Sequence, residues 1–248
     1  MPEGPQMVFL KEQAEQFVGQ TVLLAEGSAK HVPNNRLQGQ VLTEIKTYGK
    51  EFLFCFSSFA ICIHLMLFGK YAINSRLDRE LRLGLEFETG EINFYACDCR
   101  LIEKELSEVY DWSTDVMSTL FDKAKALEKL HTKPERQISD AILDQSILAG
   151  VGNGIKNEVL YRRQIHPESM VGAIPEVELL KLVNECVKLS FEYLTWIREG
   201  TAKQHWQVYQ KKECPRDFIP LQKGKTGKQL RSSYYCDRCQ RLFLPDVL

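Results

Sequence analysis

The residues best suited to chemistry stand at the start of the chain, where Met1-Pro2-Glu3-Gly4-Pro5-Gln6 sets an imino acid beside a carboxyl. Initiator methionine is trimmed when a small residue or proline follows it, which would leave Pro2 with a free secondary amine. Such an amine is a nucleophile: an α-amino group has an ordinary pKa of about 7.7–8, so a useful fraction is unprotonated at neutral pH without the tuning a lysine needs. Glu3 then offers a carboxyl that can move protons during attack on a carbonyl-like carbon. Taken alone, the same residues also read as a disordered start, and the rest of the chain has to decide.

Other groups with chemical potential recur along the chain. Lys50 follows Gly49 in a turn between two strand-like runs, a place where a lysine is ordinarily solvated. Met66-Leu67-Phe68-Gly69 is bulky and apolar where a strand is expected to end, which suits core packing or a wedge between bases. Ala149-Gly150-Val151-Gly152-Asn153-Gly154 allows two tight turns and a close backbone approach to a ligand; Asn153 reads either as a helix N-cap or as part of a phosphate-holding turn. Near the end, Cys214-Pro-Arg-Asp217 and Cys236-Asp-Arg-Cys239 are spaced like the knuckles of a four-ligand zinc hairpin, with Asp217 in a position that more often holds cysteine. Lys223, Lys225, Lys228 and Arg231 lie between them, at the tip of an expected β-hairpin suited to a nucleic-acid groove.

Composition sets the frame. A chain of 248 residues with 44% hydrophobic content has room for one large domain or two to three small ones. No apolar run reaches membrane-spanning length and no secretory leader is evident, so a cytoplasmic protein with no membrane partner is expected. Cys55, Cys62, Cys97, Cys99 and Cys186 fall within apolar segments and read as small core residues. The net charge of −1 argues against indiscriminate coating of nucleic acid, but residues 201–248 hold ten Lys/Arg against four Asp/Glu, leaving 22 against 29 in the remainder. That asymmetry points to a localised phosphate-binding surface.

The elements follow from periodicity. Met7, Val8, Leu10, Ala14, Phe17 and Val18 predict an amphipathic helix between Pro5 and Gly19, whose N-terminus favours a nearby anion. Strand-like runs are expected over Thr21–Leu24, Val41–Tyr48, Phe52–Phe56, Phe59–Leu67, Leu85–Glu88 and Glu91–Tyr95, as an antiparallel sandwich or barrel. The pattern breaks over residues 111–118, and helices are expected at about 116–130, 139–149, 154–164 and 175–199.

In order and spacing these landmarks resemble the formamidopyrimidine-DNA glycosylase/endonuclease VIII (Fpg/Nei) family of base-excision repair enzymes, closer at the N-terminus to the endonuclease VIII-like branch. Pro2-Glu3-Gly4-Pro5 is similar to the family's N-terminal signature, Tyr48-Gly49-Lys50 to its hairpin lysine, and Asp144–Asn153 continuing to Gln164-Ile165-His166-Pro167 to its helix-two-turn-helix motif. Val208-Tyr209, Lys211, Lys212 and Cys214, with Arg231–Gln240, resemble its zinc finger. The resemblance implies an α+β multidomain chain: a catalytic domain of N-terminal helix plus antiparallel β-sandwich over 1–112, a helical helix-two-turn-helix domain over 113–207, and a zinc-finger or zincless-finger β-hairpin over 208–248. It implies a monomeric bifunctional glycosylase and AP lyase that acts on damaged double-stranded DNA with no small-molecule cofactor. Pro2 would form a Schiff base, with β,δ-elimination to follow, assisted by Glu3 and Lys50. Lys50, Asn153 and Arg231 would bind phosphates, Met66, Leu67 and Phe68 would fill the gap left by an extruded nucleotide, and Cys214, Asp217, Cys236 and Cys239 would hold Zn2+.

The chain departs from the family pattern at Gln6, where a second glutamate is usual, and at Asp217. Both departures also suit a non-catalytic paralogue that binds damaged DNA. The segment from Gly200-Thr201 to Val208 is short for a loop that covers a flipped 8-oxoguanine, so poor excision of that base is expected, with oxidised pyrimidines, ring-opened purines or hydantoins as better substrates. An RNA-binding protein with a zinc-ribbon-like tail leaves Pro2-Glu3 and the glycine-asparagine turn unexplained.

Overall fold

A computed structural model describes residues 2–245, and the chain divides after Asp111 into two compact units. In the first, Pro5 in the opening turn starts α1 (Gly4–Ala14), because its missing N–H is one that a first turn leaves unpaired anyway. Met7, Leu10, Ala14 and Phe17 are all fully buried. The α-helix stops at Ala14, short of the expected Gly19, and a tightened 3-10 turn over Glu15–Phe17 carries the chain there. Then come β1 (Leu24–Glu26), α2 (Asn34–Leu37), β2 (Glu44–Tyr48), β3 (Glu51–Cys55), β4 (Ala60–Ile73), β5 (Leu81–Phe87), β6 (Gly90–Ile102) and α3 (Leu106–Val109). In hydrogen-bonding terms the anticipated sandwich is one six-stranded antiparallel sheet in the order β1-β5-β6-β4-β3-β2. Its core is aromatic, with Phe17 stacked on Phe87 at 4.8 Å and Phe52 edge-on to Phe54 at 4.9 Å.

The expected strand end near Leu67 is instead a bulge inside a longer strand. Pairing of β4 with β6 runs to Leu65↔Cys97 and resumes at Lys70↔Tyr95, so Met66–Gly69 stand out of the ladder opposite Ala96. Gly69 makes the fold-back feasible: a Cβ there would lie 2.7 Å from the Met66 nitrogen.

The second unit holds α4 (Lys123–His131), α5 (Ile138–Ala141), α6 (Asn153–Arg162), α7 (Glu176–Arg198), α8 (Ala202–His205) and the hairpin β7 (Gln222–Thr226) and β8 (Arg231–Tyr235). The apolar stripe of α7 packs Leu179, Leu182, Val183, Cys186 and Leu189 against α4 and α6. Two expected helices are shorter than their patterns suggest. Asp115 Oδ1 and Ser118 Oγ accept the N–H groups of Met117 and Leu120, which delays α4 until Asp122 caps it through Lys125 N–H at 3.1 Å. Asp144 accepts from both Ser146 N–H and Ser146 Oγ, and Gln145 bridges Leu143 O, Val151 O and Gly150 N–H. The run expected as a helix over 139–149 is therefore a short α5 followed by turns. Residues 208–245 belong to the same compact unit as these helices. Among the described residues no helix is long and apolar enough to cross a membrane.

Candidate functional site

In the first unit, Glu3 is the N-cap of α1 and Gln6 its N3 residue, and the two form a reciprocal capping box. Gln6 Oε1 accepts the Glu3 backbone N–H at 2.9 Å. Gln6 thus fixes the backbone next to Pro2, a task that needs an oxygen acceptor but no charge. Glu3 itself is buried, 8% exposed, at the helix end where backbone N–H groups favour a carboxylate. Pro2 is half-buried, while Met1, whose removal the imine chemistry requires, lies outside the described residues.

Lys50 occupies a two-residue turn joining β2 to β3, with Gly49 at φ +55 in the first central position. A left-handed first residue matches the twist of a tight hairpin, which is why glycine precedes the lysine. One cross-strand pair away stands His64, which sequence reading did not single out: Glu51 pairs with His64 across β3 and β4. Burial holds the His64 pKa below 6.5, Glu51 opposes this, and Lys50 and Arg100 reinforce it. Its buried Nδ1 has no hydrogen-bond partner among the described residues. The only sequence signal was a lone histidine in an apolar strand, which is no signal by itself. Met66, Leu67 and Phe68 on the bulge are 51%, 61% and 71% exposed, so core packing is excluded for all three.

In the second unit, Gly152 is the N-cap of α6 and Asn153 its first helical residue. The N-cap reading of Asn153 is therefore corrected: its side chain turns away from the helix end and donates to Ser232 O at 2.9 Å, leaving its buried Oδ1 without a partner among the described residues. Three further α6 residues grip the finger. Lys156, fully buried, donates to Ser232 O at 3.0 Å and Ser233 Oγ at 2.8 Å, and Asn157 Oδ1 accepts Tyr234 N–H at 2.7 Å while its Nδ2 reaches Ser232 O at 3.3 Å. Glu158, also fully buried, accepts the consecutive N–H groups of Gln207, Val208 and Tyr209 at 2.7–3.0 Å. The hairpin strand carrying Arg231 is thus registered on α6 by buried polar bonds, which sequence hydropathy would have placed in solvent. Among the described residues the side chains of Lys228 and Arg231 have no hydrogen-bond or ion-pair partner, whereas Lys225 donates to Ser232 Oγ at 3.0 Å.

Cys214, Asp217, Cys236 and Cys239 converge, their ligand atoms all within 4.8 Å of one another. Around a tetrahedral ion with M–S of about 2.3 Å and M–O of about 2.1 Å, ligand atoms stand roughly 3.5–3.8 Å apart. The cluster fits: Cys214 Sγ to Cys239 Sγ is 3.9 Å, Cys214 Sγ to Asp217 Oδ2 is 3.6 Å and Cys236 Sγ to Asp217 Oδ2 is 3.2 Å. Asp217 therefore completes a set that could hold a metal ion. Arg216 ties the knuckle to α6 by donating to Tyr161 O at 2.8 Å, over the Tyr161 ring. The other five cysteines are buried, and burial pushes the Cys55 and Cys62 thiols up to about 11.

A sheet unit opened by a capped helix and followed by a helical unit with a Cys-rich hairpin is the fold of the formamidopyrimidine-DNA glycosylases. The solved Lactococcus lactis enzyme in non-covalent complex with AP-site DNA superposes with a TM-score of 0.85 at 22% identity, covering 96% of this chain and 99% of that one. A MutM complex with carbocyclic 8-oxo-G DNA superposes at 0.86 with 23% identity, over 97% and 100%. Family models match in sequence as well: the N-terminal domain of formamidopyrimidine-DNA glycosylase over residues 1–102 and its H2TH domain over residues 113–194. The chain belongs to the formamidopyrimidine-DNA glycosylase/endonuclease VIII family. It is 35% identical to Endonuclease 8-like 2 of Bos taurus over 64% of this chain and 48% of that protein. To formamidopyrimidine-DNA glycosylase of Mycoplasma genitalium it is 27% identical over 84% and 82%. The chain spans about half the length, or less, of the endonuclease 8-like relatives it matches.

Proposed function

We propose that the protein is a bifunctional DNA glycosylase and AP lyase acting on oxidised bases in duplex DNA. The observation that carries this reading is Pro2 set directly before the Glu3–Gln6 capping box at the head of the family's N-terminal domain. The Pro2 nitrogen attacks C1′ of the damaged nucleotide as the C1′–base bond breaks and the base leaves; opening of the sugar gives an iminium ion, from which β-elimination releases the 3′-phosphate and δ-elimination the 5′-phosphate. Glu3 moves the proton of the opening sugar. Lys50 and His64 bind phosphate on the sheet unit; Arg231 and the backbone N–H of Asn153 at the head of α6 bind phosphate on the helical unit. Met66, Leu67 and Phe68 enter the base stack in place of the extruded nucleotide. Cys214, Asp217, Cys236 and Cys239 hold zinc, which acts in folding the finger and takes no part in the reaction.

The segment after α7 supports weak excision of 8-oxoguanine. It is taken up by α8, with His205 stacked on Trp196 at 4.5 Å and Trp206 tilted on Tyr193 at 4.7 Å, leaving little chain to cover a flipped 8-oxoguanine. Borohydride trapping on duplexes bearing an abasic site, dihydrouracil, a hydantoin or 8-oxoguanine tests the reading. A covalent adduct on the first three, abolished by Pro2→Gly, is expected. Binding without an adduct would instead favour a non-catalytic reader of damaged DNA, for which Gln6 is the relevant departure. No binding at low salt, where phosphate contacts are strongest, would remove both.

A further inference from the structure

The turn between β7 and β8 carries a residue that folding alone does not account for. Leu230 sits at φ +49, in the left-handed region that glycine adopts freely and a branched side chain does not, and its side chain is 64% exposed. The left-handed backbone works against stability and the exposed side chain adds nothing to it, yet the surrounding structure holds both in place. Gly227 N–H donates to Gln137 Oε1 at 2.8 Å, Lys228 N–H to Asp140 Oδ2, and Leu230 N–H to Gly227 O at 3.2 Å. Gly227 leaves room for that anchor, since a Cβ there would lie 2.1 Å from Asp140 Oδ1. The turn is therefore fastened to α5 with the leucine pointing outward, a pattern of maintained strain that marks contact sites. Phe218 shares a left-handed φ of +54 and 75% exposure, but it follows Asp217, and the cation two residues from it, Arg216, is engaged with Tyr161 O. Leu230 stands next to Arg231 and two residues from Lys228, both without side-chain partners among the described residues.

We propose that Leu230 is an apolar DNA contact, packing on sugar and base edges in the groove while Lys228 and Arg231 hold the flanking phosphates. The proposal rests on the DNA-binding reading above. Charge and hydrophobicity divide the work: the cations supply affinity that salt weakens, and the leucine supplies affinity that salt leaves alone.

The test measures the dissociation constant of the full chain for a duplex carrying a stable abasic analogue, across a series of salt concentrations. Leu230→Gly relieves the left-handed strain, so its melting temperature should equal or exceed that of the parent chain. Its affinity should fall about tenfold, the scale of one apolar side chain withdrawn from contact, with an unchanged salt slope. Leu230→Met should keep near-parental affinity. Lys228→Gln should do the opposite of Leu230→Gly and lower the slope by about 1. Parental affinity in Leu230→Gly would overturn the proposal. So would a loss accompanied by a reduced slope, because that would mean the phosphate contacts of a distorted hairpin had been lost. Failure of the parent chain itself to bind the duplex at low salt removes the DNA-binding reading, an outcome distinct from either.

Discussion

Gln6 and Glu3 share one capping box but are asked for different things. Gln6 Oε1 holds the Glu3 amide, which an uncharged side chain does fully, whereas Glu3 is proposed to move a proton, which a carboxamide cannot. Glu3→Gln should therefore fold with a loss of about 1 kcal/mol, the charge at the helix end, while base excision falls by about 10²–10⁴-fold, measured in single-turnover assays. His64 carries a prediction of the opposite kind, about pH. Burial keeps its folded-state pKa below 6.5, so the folded chain binds fewer protons there than the unfolded one. The stability that neutral His64 contributes is complete above 6.5 and is lost as pH falls through 6.5 towards the depressed folded value. A phosphate against the exposed edge of the ring would favour the protonated form and reverse the balance in the complex. DNA affinity should accordingly rise, as pH falls from neutrality to about 6, more steeply in the parent chain than in His64→Gln. Parallel pH profiles for the two would remove His64 from the phosphate contacts.

At the scale of elements, α6 does more than pack. Asn153, Lys156, Asn157 and Glu158 spend their polar groups on the finger, Glu158 taking three successive amides at its carboxylate. Glu158→Gln replaces one of its two acceptor oxygens with a donor facing those amides. It should cost about 1–3 kcal/mol in urea unfolding, a loss that a surface glutamate would not show. The same element shows where sequence reading reaches its limit. Period-two and helical spacing made β2 to β6 and α7 legible, and Gly49-Lys50 and Gly152-Asn153 announced their turns. The short α5 was not legible, because Asp144 and Gln145 divert backbone groups by side-chain bonds that periodicity does not register. Nor was Lys156, a fully buried cation whose type predicts solvent and whose partners lie on a strand far along the chain. The bulge at Met66–Gly69 was half legible: the apolar run was visible, its exclusion from the ladder was not.

At the scale of the whole molecule each unit has its own core, one around α1 and the sheet and one around α4 to α7, and among the described residues Tyr161, Val208, Cys214 and Cys236 form a small third cluster under the finger. That third cluster is too small to hold residues 208–245 without help, which is why the cysteine set matters beyond its local geometry. Loading the Cys214–Asp217–Cys236–Cys239 set with zinc should raise the calorimetric transition of the 112–245 unit, chelation should lower it again, and that of the 2–111 unit should stay in place. Asp217→Ala should weaken metal binding, and Asp217→Cys should tighten it, read by competition with a chromophoric chelator. A single transition unmoved by chelation would show that the finger stands on packing alone.

The Ser232 carbonyl receives Asn153 Nδ2, Lys156 Nζ and Asn157 Nδ2 at once, one residue from Arg231. So many donors lower the stretching frequency of a carbonyl, and a carbon-13 label at that single position would carry its infrared band clear of the rest of the amide envelope. The oscillator would then report, bond by bond, any pull transmitted through Arg231 when an oligonucleotide engages the turn.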